Sequence, residues 1–157
     1  MLEIEIPGRG TLTLAHLVLD VNGTIALDGC LLPGVAERLR AISERLAVHL
    51  LTADTLGRQD ELDRALGLRA TRLGTDRSQV AQKAEHVRRL GSAAVVAVGN
   101  GANDALMLRE AALGIAVVGG EGAASAALRE ADVVVTDVLA ALDLLLNPRR
   151  LAATLRE

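Results

Sequence analysis

Apolar and polar residues alternate at the start of the chain. Leu2, Ile4 and Ile6 are spaced by Glu3 and Glu5, and Leu12 and Leu14 follow Thr11 and Thr13 in the same rhythm. A period of two marks half-buried strands, and the Pro7-Gly-Arg-Gly10 turn between the two runs predicts a β-hairpin. The apolar run 17–20 predicts a buried strand. Residues 24–32 predict a second small hairpin turning at Asp28-Gly29. After Pro33 and Gly34, the apolar positions Val35, Leu39, Ile42 and Leu46 recur at helical spacing. Residues 48–52 read as another strand, followed by a polar helix from about Thr55 to Leu66 with Gly67 as its C-cap. A short strand is expected over 69–73. A helix over 78–90 places Val80, Ala84, Val87 and Leu90 on one face and ends at Gly91. Three further strands, 95–98, 114–118 and 132–136, are separated by helices. The Ala/Leu-rich stretch 138–155 is a helix interrupted at Asn147-Pro148.

Strands alternating with helices predict an α/β fold: a doubly wound, mostly parallel, Rossmann-like sheet with an N-terminal β-hairpin. The 157 residues fit a single domain, 1–157, with no linker, repeat or low-complexity segment. Phe, Tyr and Trp are entirely absent, so the core is built from Leu, Val, Ile and Ala, and nothing is present to stack on bases. With a net charge of −3 and no basic block, nucleic acid is not an expected partner. The one cysteine, Cys30, excludes an internal disulfide and a Cys-based metal site. The first residues carry Glu where a signal peptide carries basic residues, and no apolar run has membrane-spanning length. A cytoplasmic protein with no membrane partner is the expectation.

Chemistry concentrates in two turns. Asp20-Val-Asn-Gly-Thr24 closes the strand 17–20, and Gly99-Asn-Gly-Ala-Asn-Asp104 closes the strand 95–98. In an open α/β sheet, ligands bind at the carboxyl ends of the strands, where Gly turns can aim N–H groups at an anion. A carboxylate such as Asp20 can attack a phosphoryl group to give an aspartyl phosphate. Carboxylate and phosphate repel each other, so the reaction needs a cation, and Mg²⁺ with oxygen ligands suits it. Asp104, with the side-chain oxygens of Asn100 and Asn103, can supply part of that shell. Between the turns, Thr52 offers a hydroxyl donor and Lys83 a fixed positive charge for the phosphoryl oxygens.

Asp20-Val-Asn-Gly-Thr24, Thr52, Lys83 and Gly99-Asn-Gly-Ala-Asn-Asp104 resemble the four ordered motifs of the haloacid-dehalogenase-like hydrolases. The last segment, continued by Ala105-Leu-Met-Leu108, is similar to the hinge signature of P-type ATPases, as are 113–118 and 131–136. The resemblance runs from about Leu17 to Asp137. It implies a phosphatase with Asp20 as nucleophile and Mg²⁺ held by Asp20, the Asn22 main-chain carbonyl, Asn100 and Asp104. Gly23, Thr52, Ala53, Lys83 and Asn103 would surround the phosphoryl group of an unidentified phosphorylated substrate. Intervals of about thirty residues or fewer between motifs leave no room for a large cap domain. Capless members of the family act on large substrates or cover the site with another subunit. The 24–32 hairpin, with Ile25, Leu27, Leu31 and Leu32, is a candidate contact for a homo-oligomer.

Two positions depart from the family pattern. Asn22 stands where phosphatases of this family carry an aspartate that protonates the leaving group, a transfer worth about 10²–10⁴ in rate. Asn100 stands where a metal-binding aspartate is usual, and an amide oxygen brings no charge. Both departures imply slow turnover, or a non-enzymatic subunit that binds phosphate and Mg²⁺. Deamidation at Asn22-Gly23 would restore the missing acid. A receiver-like domain fits less well, because receivers place an acidic pair at the end of their first strand. Gly119-Gly-Glu-Gly122 reads as a plain turn, and His16, His49 and His86 read as unrelated packing or surface residues.

Overall fold

A computed structural model describes residues 1–157. The hairpin pairs β1 (Leu2–Ile6) with β2 (Gly10–Leu14), Leu2 opposite Leu14. Its alternation is realised literally: Leu2, Ile4 and Ile6 are buried, and Glu3 and Glu5 exposed. The main sheet contains β3 (His16–Asp20), β6 (Ala47–Thr52), β7 (Thr71–Arg72), β8 (Val95–Gly99), β9 (Leu113–Val117) and β10 (Val133–Val135). Its order is β10-β9-β8-β3-β6-β7, and every neighbouring pair is parallel. The predicted small hairpin is β4 (Ala26–Leu27) and β5 (Cys30–Leu31). It turns at Asp28 and Gly29, both with positive φ, as a two-residue turn of this hand requires.

The helices are α1 (Val35–Ser43), α2 (Gln59–Leu66), α3 (Gln79–Leu90), α4 (Ala105–Glu110), α5 (Ser125–Glu130), α6 (Val138–Leu146) and α7 (Pro148–Leu155). Strand residues divide between the two faces with period two. Leu17, Leu19, Val96, Val98 and Ile115 belong to the larger apolar cluster, shared with α1, α6, α7 and the β1 strand. Val18, Val95, Ala97 and Ala116 join Val87 of α3 and Met107 and Leu108 of α4 on the other face. Side chains there are small for a reason visible at Gly114. A Cβ at that position would lie 2.6 Å from the Leu108 carbonyl oxygen, so the α4 backbone closes directly on the sheet.

Several expectations shift in detail. Helix α2 begins at Gln59, not near Thr55. Residues 54–57 form a turn instead, with Asp54 and Gly57 at positive φ and the Gly57 N–H donating to the Asp54 carbonyl. The Asp54 carboxylate then accepts from the Gln59 N–H, 3.1 Å, which caps the delayed helix. Helix α1 stops at Ser43, and Leu46 reaches the core from the following turn. On α3 the buried face contains Lys83, Ala84 and Val87, while Val80 and Leu90 are half-buried. Ile25 is fully buried and anchors the β4–β5 hairpin to the core, leaving Leu27, Leu31 and Leu32 half-exposed on it.

The three histidines, far apart in sequence, come together in space. His16 Nδ1 lies 3.2 Å from His49 Nε2, and the His49 ring stands 5.5 Å, edge-on, from that of His86. His86 Nε2 is buried without a hydrogen-bond partner. Burial, then His86 and His16, hold the His49 pKa below its ordinary value; burial and Arg89 do the same for His86. Groups with depressed basicity in the fold cost it nothing above the unfolded pKa of about 6.5 and destabilise it as pH falls below that. The Tm difference between the native chain and His49→Gln is therefore expected to move against the native chain as pH falls from 7 to 5, measured by paired thermal melts.

Candidate active site

Parallel strands end together, so the residues closing β3, β6 and β8 meet at one sheet edge. Asp20 ends β3, Thr52 ends β6, and Asn100 follows β8. Helix α3 delivers Lys83 to the same place. Its Nζ lies 2.6 Å from Asp20 Oδ1 and 2.6 Å from Asp104 Oδ1. Lys83 is 1% exposed and Asp104 0%, a depth at which charges persist only when paired. One ammonium here serves two carboxylates. Burial would lower the Lys83 pKa, but Asp20 and Asp104 outweigh it and raise it. Burial, reinforced by Asp104, pushes Asp20 up to about 6 against the opposing pull of Lys83 and Thr24. The remaining Asp104 oxygen accepts the N–H groups of Asn100, 3.0 Å, and Gly101, 2.8 Å. Its carboxylate is thus occupied in holding Lys83 and the turn.

The opposite side of Asp20 is rich in oxygen. Thr24 Oγ1 lies 3.0 Å from Asp20 Oδ2 and 3.1 Å from Asn100 Oδ1. The Asn100 amide is oriented by donation from Nδ2 to the Gly122 carbonyl, 3.2 Å, which turns its oxygen toward Thr24. Two acceptors therefore converge on a single hydroxyl proton. The Asn22 carbonyl, in the same turn, accepts no main-chain hydrogen bond. A carboxylate, an amide oxygen and a main-chain carbonyl form a hard donor set of the kind that suits Mg²⁺. The set leans on neutral oxygens: no three His, Cys, Asp or Glu side chains are disposed to hold a metal ion.

Asp20, Asn22, Ala53, Lys83, Asn100 and Asn103 line a cavity of about 210 Å³. Thr52 does not line it; the residue is 1% exposed, and its hydroxyl oxygen accepts the Asp54 N–H at 2.9 Å. Gly23 lines an adjoining apolar cavity of about 390 Å³, together with Leu27, Leu32 and Val138. Its φ of 80° suits glycine, and a Cβ there would strike the Glu121 carboxylate and lie 2.9 Å from Asn100 Nδ2. Gly101 of the predicted turn also lines it, and three further lining residues, Thr55, Gln79 and Glu121, were not expected at the site from the sequence. Gln79 was discoverable: it sits one turn before Lys83 on α3, and its Oε1 accepts from Asn103 Nδ2 at 3.0 Å. Glu121 belongs to the turn after β9, which ends at the same edge.

No family model matches the chain. The uncharacterized protein MJ0073 of Methanocaldococcus jannaschii is 54% identical over 63 residues, 40% of this chain and 68% of that one. Among solved structures, 3-deoxy-D-manno-octulosonate 8-phosphate phosphatase of Moraxella catarrhalis is similar with a TM-score of 0.66 at 18% identity. The match covers 91% of this chain and 94% of that one, which was crystallised with magnesium, phosphate and the sugar acid. A phospho-aspartyl intermediate analogue of phosphoserine phosphatase matches with a TM-score of 0.67 at 15% identity, over 86% and 99% of the two chains. A zinc-transporting PIB-type ATPase in its E2.Pi state matches at 0.62 and 25% identity, over 78% of this chain and 20% of the transporter.

The ion triad makes two stability predictions of opposite sign. Lys83→Met strands two buried carboxylates and should lower stability by about 3 kcal/mol or more. Asp20→Asn leaves Lys83 and Asp104 paired one to one and removes a carboxylate that burial disfavours, so its Tm at pH 7.5 should rise. Urea and thermal unfolding followed by far-UV circular dichroism measure both.

Proposed function

We propose that the chain is a haloacid-dehalogenase-like, Mg²⁺-dependent phosphohydrolase with Asp20 as nucleophile. The observation that carries this reading is the Asp20 carboxylate itself. It is held at the sheet edge by Lys83 on one oxygen and faces an oxygen-rich corner with the other. The solved phosphatases of the same fold, one with magnesium and phosphate and one a phospho-aspartyl analogue, support it.

In this reading an Asp20 oxygen attacks phosphorus, and the bond to the leaving oxygen breaks with its electron pair departing on that oxygen. Water then attacks the aspartyl phosphate, releases inorganic phosphate and restores the carboxylate. Lys83 keeps Asp20 ionised and orients it; its salt bridge to Asp104 fixes where the ammonium sits. The main-chain N–H of Ala53 and the Asn103 amide are the donors that line the cavity for the phosphoryl oxygens, while the buried Thr52 hydroxyl supports the Ala53–Asp54 turn behind them. A divalent cation held by Asp20, the Asn22 carbonyl and Asn100 would supply the positive charge that lets carboxylate and phosphate approach. Asn22 lines the cavity where a proton donor would serve the leaving group. An amide transfers no proton at neutral pH, so the leaving oxygen must take its proton from water and turnover is slow.

The pair of amides at 22 and 100 favours a second reading, in which the site binds phosphate and Mg²⁺ without turning over. Release of phosphate from an aryl phosphate separates the two. The native chain should show weak activity that requires Mg²⁺, Asp20→Asn should abolish it, and Asn22→Asp should raise it by about 10²–10⁴. Undiminished release from Asp20→Asn would refute the nucleophile. Native protein that binds fluoroberyllate with Mg²⁺ but releases no phosphate would place the second reading first.

A further inference from the structure

The cavity holds one carboxylate that nothing neutralises. Asp20 is tied to Lys83 and Thr24, and Asp104 to Lys83 and two main-chain N–H groups. Glu121 lines the same cavity, exposed, without a hydrogen bond or ion pair. Its turn sets it at the mouth of the cavity. Gly119 pairs with Gly122, whose N–H donates to the Gly119 carbonyl at 2.9 Å. From the far side, Asn100 holds the turn twice: its Nδ2 donates to the Gly122 carbonyl, and its own carbonyl accepts the Ala124 N–H at 2.8 Å. Gly23 leaves the space that the Glu121 carboxylate occupies.

Asn100 therefore does something an aspartate could not. An amide donates to the Gly122 carbonyl while its oxygen accepts from the Thr24 hydroxyl, which a carboxylate cannot do. A carboxylate at position 100 would repel that carbonyl and release the turn. On the metal reading given above, we propose that Glu121 is the second anionic ligand of the divalent cation, and that Asn100 positions it. The charge missing from the end of β8 is supplied from the turn after β9, one strand further along the sheet. The ligand set then comprises two carboxylates, Asp20 and Glu121, with the Asn100 oxygen and the Asn22 carbonyl, a balance that suits a hard divalent ion better than one carboxylate alone.

Calorimetric titration with Mn²⁺, which needs no substrate, tests this on the native chain, Glu121→Gln, Glu121→Ala and the double variant Asn100→Asp/Glu121→Gln. Glu121→Gln should weaken binding by about 10–100-fold with an unchanged far-UV spectrum and melting temperature. The double variant, with its carboxylate returned to position 100, should recover most of that loss. Luminescence lifetimes of Tb³⁺ in the site, compared in H₂O and D₂O, should count one more bound water in Glu121→Ala than in the native chain. Native affinity in Glu121→Gln overturns the assignment while leaving the Asp20 reading intact. Weakened affinity with an unchanged water count also overturns it, since Glu121 would then act only through space. A folded native chain that binds no Mn²⁺ at millimolar concentration overturns both.

Discussion

Lys83 between Asp20 and Asp104 is the interaction on which the rest of the molecule turns. Three charges at that depth can coexist only if the ammonium reaches both carboxylates at once, and this fixes three elements against each other. Strand β3 must end at Asp20, the turn after β8 must bring Asp104 inward, and α3 must lie close enough to the sheet for Lys83 to reach both. Small side chains make that approach possible. Val18, Ala97 and Ala116 on the α3–α4 face, with Gly114 beneath Leu108, form a shallow surface onto which the helices settle. The polar triad and the thin apolar layer are two sides of one constraint.

Much of the architecture was legible from periodicity alone. Strict alternation in β1, the β4–β5 turn at Asp28-Gly29 and the break at Asn147-Pro148 are local signals, and the structure follows them. The delayed start of α2 was not legible, because it depends on Asp54 adopting a left-handed conformation and capping a helix five residues on. The convergence of Asp20, Lys83 and Asp104 was foreshadowed by motif order, whereas the division of labour among them was not. Nothing in the spacing said that Asp104 would spend both oxygens behind the cavity wall. The histidines show the same limit. His16, His49 and His86 have no shared spacing, yet they sit on β3, β6 and α3, the elements that also carry Asp20, Thr52 and Lys83. Reading Gly119-Gly-Glu-Gly122 as a plain turn was fair to the backbone, but sheet order places Glu121 at the cavity.

Replacing an acid by its amide removes a charge and a proton, but it adds two donors. At position 22 the exchange leaves a side chain in the cavity that cannot take part in proton transfer. At position 100 the added donors are used at once, on the Gly122 carbonyl. The two substitutions thus differ in physical meaning despite their chemical likeness. One lines the cavity, while the other uses its amide to grip a neighbouring loop.

The hairpin above the site is short and rooted. With Ile25 fully buried and only two residues in each of its strands, it is anchored directly to the core. A group bound at Asp20 would therefore meet a fixed wall on the hairpin side, so the size it can have is set by the fold at rest.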